Sequence, residues 1–124
     1  RDLHLSLRRQ RQMCIRDSPC FGLVLYEGGH KIVYTSDTGK RFSNYAYCLM
    51  HQADLLIVNT PRFSPPHEGH ITSLEAVELK ERVKAKCLVL THFNHHNLPH
   101  DELEQWAAGQ VGVTIAYDGL ALEL

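Results

Sequence analysis

Residues 54–91 read DLLIVNTPRFSPPHEGHITSLEAVELKERVKAKCLVLT, and the alternation of patterns within this stretch decides the fold. Asp54–Thr60 (DLLIVNT) is a short apolar run of the kind that forms a buried strand, and Pro61 stops it. Thr72-Ser73-Leu74-Glu75 has the form of a capping box, in which the Thr hydroxyl and the Glu carboxylate each satisfy a free N–H at a helix start. Ala76, Leu79 and Val83 continue an apolar stripe at helical spacing to about Lys84. Cys87–Thr91 (CLVLT) then returns to a short buried strand. Strand, capped helix and strand in succession are the unit of an α/β domain.

The same unit extends outward in both directions. Upstream, Phe21–Tyr26 (FGLVLY) and Lys31–Ser36 (KIVYTS) flank Gly28-Gly29, which predicts an antiparallel hairpin. Ala46, Leu49, Met50 and Ala53 share one helical face within Ser43–Ala53. Downstream, Asp101 with Glu104 opens a helix that packs Leu103, Trp106 and Ala107, and Gly109 ends it. Val113–Tyr117 and Leu120–Leu124 flank Asp118-Gly119, a second hairpin signal. The expected order is β-β-α-β-α-β-α-β-β. It closes on a strand while its start is abrupt, so any missing material is expected upstream.

Composition bounds what such a domain does. With 124 residues, 44% hydrophobic and 22% charged, the chain holds one domain at most and has the apolar content for a core. Those fractions argue against disorder, and a net charge of −1 argues against a strongly basic nucleic-acid module. No run approaches the roughly 18 apolar residues of a membrane span. Cys14, Cys20, Cys48 and Cys87 lie far apart without CxxC spacing, which suits a reducing, cytoplasmic setting better than a disulfide framework. Residues 1–18 carry a net charge of +3 and residues 19–124 a net of −4. The basic opening suits an RNA-binding arm, a transit peptide or an expression leader, and RQMCIRDS resembles translated sequencing-adapter text. With no core stripe, residues 1–18 are expected to be non-native and to stand outside a domain at 19–124.

Nine histidines in so short a chain call for an account, because imidazole is the commonest metal ligand and the usual acid–base group near neutral pH. Asp37, in Ser36-Asp37-Thr38-Gly39, stands where a strand yields to a loop. A carboxylate held there is a rigid metal ligand or general base, the alternative being a plain Asx turn. His92 holds the same place beyond Cys87–Thr91, as a ligand or as a satisfied structural imidazole. Functional groups of α/β sheets collect at one edge, at strand ends, so the two are expected to converge. His70 lies just before the capping box, near a helix N-terminus that favours anions, and either donates a proton there or is a solvated loop residue. His67 and His70 form an HxxH pair on a loop with Pro and Gly, which fixes no ligand geometry. Of His95, His96 and His100, at least two are expected at the surface.

Taken in order, YTSDTG, ADLLIVNT, GHITSLEAVEL, CLVLTHF and AYDGLALEL resemble the C-terminal half of a metallo-β-lactamase-fold hydrolase. They are most similar to the phosphodiesterase-like branch that includes ribonuclease Z. The resemblance implies half of an αββα sandwich and, in the intact protein, two divalent metal ions, zinc as a rule and manganese or iron in some branches. It implies that Asp37 bridges the two metals, that His92 ligates the second, and that His70 is a catalytic proton donor. A metal-held hydroxide would attack a phosphodiester, in RNA or a small molecule.

One departure bears on this reading. The family's main metal motif, HxHxDH, does not occur in the sequence; it belongs to an N-terminal half, which would be this chain's missing partner. Zinc sites need about three protein ligands plus water, and Asp37 and His92 are two. The fragment by itself is therefore expected to be inactive. The alternative function class is a non-enzymatic half-domain or a histidine-loop zinc-binding module. The half-sheet would expose a face for the missing half, or for a second subunit in a homo-oligomer, to cover.

Overall fold

The computed structural model describes residues 7–12, 20–39, 41–65, 69–94 and 97–124. Its strands are β1 (Leu7–Gln12), β2 (Cys20–Glu27), β3 (His30–Tyr34), β4 (Leu55–Asn59), β5 (Cys87–Thr91) and β6 (Val113–Ile115). Its helices are α1 (Asn44–Met50), α2 (Ser73–Val83) and α3 (His100–Ala108). All six strands form one sheet in the order β1-β2-β3-β4-β5-β6. The β1–β2 and β2–β3 pairs are antiparallel, and from β3 to β6 every pair is parallel. β3, β4 and β5 therefore point their carboxyl ends the same way.

Local chemistry accounts for most of these elements. Gly28 and Gly29 both have positive φ, 58° and 85°, as a two-residue hairpin turn requires, and Glu27 pairs with His30 across it. The Ser43 side chain caps α1 by accepting the Ala46 N–H. The capping box at α2 is complete: Thr72 Oγ1 accepts the Glu75 N–H at 3.2 Å, and Glu75 Oε1 accepts the Thr72 N–H at 3.0 Å. Lys84, left-handed at φ 60°, ends that helix.

The helices share one face of the sheet. Ala46 and Met50 of α1, Ala76, Leu79 and Val83 of α2, and Leu103 and Ala107 of α3 join Val24, Val33, Leu56, Val58, Leu88, Leu90 and Ile115 in one buried cluster. The strand residues between these point to the other face, as the period of two demands. That second face carries Leu23, Leu25, Ile32, Tyr34, Leu55, Ile57, Asn59 and Val89. One sheet with helices on one side and an apolar face on the other is half of an αββα sandwich. No helix among the described residues is long and apolar enough to cross a membrane.

Three expectations need correction. Leu7–Gln12 lies within residues 1–18 yet pairs with β2 over six positions, so this part of the basic segment does enter the fold. An edge strand is held by backbone hydrogen bonds and needs no core stripe, and charged residues suit such an edge. Leu120–Leu124 forms no strand. The turn is made, with the Leu120 N–H donating to the Tyr117 carbonyl at 3.0 Å and Gly119 at φ 89°, but β6 has only three residues with which to hold a returning strand. Finally, α3 begins at His100 with Pro99 before it, so Asp101 lies inside the first turn and favours the helix through its dipole rather than by capping.

Away from the carboxyl edge, Asp54 locks the opposite end of the sheet. Its carboxylate accepts the Lys31 N–H at 2.7 Å and meets Lys86 Nζ at 3.0 Å. Those two contacts, the backbone bond foremost, hold the Asp54 carboxyl below the usual carboxylate range. Burial lowers the Lys31 ammonium, against the attraction of Asp54.

Candidate metal centre at the carboxyl edge

Three parallel strands deliver the site. After β3 the chain keeps its pairing for one residue more, the Thr35 N–H donating to the Ile57 carbonyl at 3.0 Å. Ser36 then turns left-handed at φ 63° and stands Asp37 off the strand end. Thr38 is buried, and its carbonyl accepts the Ile71 N–H at 2.9 Å. At the end of β5, His92 is left-handed as well, at φ 67°. Such conformations are uncommon outside glycine and cluster where function demands a particular side-chain placement.

These turns bring the two candidate ligands together. His92 Nε2 lies 3.9 Å from Asp37 Oδ1, and both side chains are open to solvent, 60% and 58% exposed. Two ligands bonded to one tetrahedral ion at about 2.0–2.1 Å stand about 3.3 Å apart, so this carboxylate and imidazole fit a shared metal with little movement. Among the described residues, no group of three or more His, Cys, Asp or Glu side chains is placed to hold an ion. Asp37 and His92 are thus a pair of donors, short of a complete site.

His70 comes near by a different route. Its neighbour Ile71 is tied to Thr38, one residue beyond Asp37, and the half-buried His70 lies two residues before the Thr72 cap of α2. His67, His95 and His96, and with His67 the HxxH pair, lie outside the described residues. His100 is an exposed α3 residue whose Nε2 meets Glu104 Oε2 at 3.1 Å, one helical turn on.

Two asparagines that the sequence reading passed over organise this edge. Asn59, the last residue of β4 and 4% exposed, donates from Nδ2 to Asp37 Oδ1 at 2.9 Å. The Tyr34 hydroxyl in turn donates to Asn59 Oδ1 at 3.3 Å. Asn97 donates from Nδ2 to the carbonyls of Pro61 at 2.9 Å and Thr60 at 3.3 Å, and the Asn94 N–H reaches the Pro61 carbonyl at 3.2 Å. The loop that follows His92 is thereby fastened to the segment that follows β4. A polar residue ending the apolar run DLLIVNT was the available signal for Asn59; for Asn97, within a polar loop, there was none.

Comparison with known proteins agrees with this architecture. A family model described as a beta-lactamase superfamily domain matches residues 3–93. The probable metallo-hydrolase YhfI of Bacillus subtilis (strain 168) is 32% identical over 91 residues, which cover 71% of this chain and 36% of that protein. The crystal structure of YhfI superposes with a TM-score of 0.78 at 27% identity, over 98% of this chain and 51% of that one. Human tRNase Z, short form, superposes with a TM-score of 0.71 at 26% identity, over 94% and 42%. A diphosphatase from the PhnP family shares the fold, with a TM-score of 0.77 at 23% identity over 99% and 46%. The chain thus spans about half the length, or less, of these relatives. The family model's match from before the first strand through Phe93, together with the 32% identity to YhfI over 71% of this chain and the shared sheet, places the chain in the beta-lactamase superfamily, with the metallo-β-lactamase fold.

Proposed function

We propose that the chain is the C-terminal half of a dinuclear metal-dependent hydrolase that cleaves phosphodiester bonds, in RNA or in small molecules. The convergence of Asp37 and His92 at 3.9 Å on the sheet's carboxyl edge carries this reading. The likeness to human tRNase Z supports a phosphodiester substrate. Asp37 and His92 would hold the divalent ions, Asp37 shared between them and His92 on one, with the remaining ligands supplied by an N-terminal half that would cover the open face of the sheet. Zinc suits a carboxylate–imidazole donor set, and manganese or iron would be accepted by it. Divalent ions bound there supply Lewis acidity toward the phosphoryl oxygen and activate water.

The chain's own residues divide the remaining work. Asp37 and His92 are held by backbone turns at the ends of β3 and β5, on either side of β4, so their spacing is set before any ion arrives. His70, half-buried beside the Thr38–Ile71 link, donates a proton to the leaving oxygen. The free thiols of Cys48 and Cys87 accord with a cytoplasmic enzyme.

Separate variants in the full-length protein carrying this half test the assignment. His92→Ala should lose metal and activity together. His70→Ala should keep its metal, while its rate falls roughly 10²–10⁴-fold on an unactivated phosphodiester and less with a nitrophenolate leaving group, which departs without a proton. Loss of metal on His70→Ala would make His70 a ligand, and no change in rate would make it a bystander.

A further inference from the structure

We infer that Asn59, braced by Tyr34, is the positioning residue that aims the Asp37 carboxylate. The inference rests on the reading of Asp37 as a metal ligand and adds to it a residue that acts through another. Asn59 belongs to β4, the strand between those that carry Asp37 and His92, and its backbone pairs in register with Thr91, the residue before His92. It is therefore the strand-end side chain with fixed geometry to both ligands. It is 4% exposed, so water competes poorly for its hydrogen bonds.

The direction of the amide follows from its neighbours. The Asp37 carboxylate only accepts, so the group 2.9 Å from it must be the Asn59 NH2. That leaves Asn59 Oδ1 toward Tyr34, whose hydroxyl donates at 3.3 Å. A flipped amide would set two acceptors against each other at the Asp37 end. In the observed sense the bond occupies one lone pair of Asp37 Oδ1 and leaves the other, together with Oδ2, for metal. A carboxylate that must bridge two ions cannot spin freely about χ2 without misplacing both bonds. The Tyr34–Asn59–Asp37 chain is the restraint on that rotation.

Zinc affinity measured by competition with a chromophoric chelator, in the full-length protein carrying this half, tests the inference without recourse to activity. Asn59→Ala should weaken zinc binding by roughly 10–100-fold, as loss of an outer partner of a ligand does, with circular dichroism unchanged. Tyr34→Phe keeps the ring and should give a smaller loss. The double variant should bind zinc no more weakly than Asn59→Ala, because Tyr34 acts through the amide. A purely structural role would give additive losses or none. Wild-type affinity in Asn59→Ala, or additivity in the double variant, would overturn the positioning role. If Asn59→Ala does not fold, full affinity in Tyr34→Phe overturns it and a partial loss supports it. Asp37→Asn is the separate control: if it binds zinc as the wild type does, or if the wild type takes no zinc, the ligand reading itself fails.

Discussion

Replacing His92 with glycine should make the protein more stable while removing a candidate ligand. His92 sits at φ 67°, where a residue with a Cβ pays about 1–2 kcal/mol. Glycine relieves that strain but adds about 0.4–1 kcal/mol of unfolded-state entropy to be lost on folding. The balance favours glycine over alanine at this position by about 0.5–1 kcal/mol. The imidazole is 60% exposed and reaches Asp37 only at 3.9 Å, so truncating the side chain alone should change stability by less than about 0.5 kcal/mol. In a chain of this length 1 kcal/mol moves the thermal midpoint by about 4 °C. His92→Gly should thus melt about 2–4 °C above His92→Ala, both measured by circular dichroism with chelator present. Both variants should fail to retain zinc in the full-length protein. Equal midpoints, or a lower one for glycine, would refute the claim that the site stores backbone strain to place its ligand.

Other perturbations report on the frame around the site. Thr72→Ala removes the hydroxyl that accepts the Glu75 N–H, the side-chain half of the capping box, at a residue 2% exposed, and leaves the Thr72 N–H bond to Glu75. It should cost about 1–2 kcal/mol, and Thr72→Ser, which keeps the hydroxyl, should cost less than half as much in a thermal melt. Leu90→Ala empties a fully buried position facing the helices and should cost about 2–5 kcal/mol in urea unfolding. The Asp54 carboxyl is held below its ordinary range in the folded state, so the stability it contributes is present above the unfolded value near about 4 and is lost as the pH falls through the lower folded value. Asp54→Asn should accordingly be less stable than the wild type at pH 7, with the gap closing as the pH drops below 4, read from urea midpoints across that range.

Much of the helix-side architecture was legible in the residues, because the signals are local. A Gly-Gly turn between two apolar runs, a Thr-x-x-Glu box, and stripes at helical spacing each specify a structure within a few positions, and β2, β3, β4, β5 and α2 lie where those patterns put them. Asp37 and His92 were visible for the same reason, as polar residues just past apolar runs. β1 was not visible: LRRQRQ has no apolar alternation, and its place on the sheet depends on the free backbone edge of β2. The missing strand at Leu120–Leu124 shows the converse, since a correct turn signal makes no hairpin when its first arm is three residues long.

By itself, the sequence determined the α/β class, the period of each element and the strand-end addresses of the candidate ligands, because those follow from torsional preference and side-chain periodicity within single segments. Tertiary structure alone decided that Asp37 and His92 meet. They stand 55 positions apart, and only the parallel order β3-β4-β5 brings their strand ends to one edge, on either side of β4. It alone also decided the role of the two asparagines. An amide has donors and an acceptor to offer anywhere in a chain, and what it binds is fixed by which strand is its neighbour: Asn59 reaches back 22 positions to Asp37, and Asn97 reaches 36 and 37 positions to Pro61 and Thr60. Hydrogen bonds of that range leave no periodic trace in the residues that make them, since their geometry exists only once the sheet has assembled.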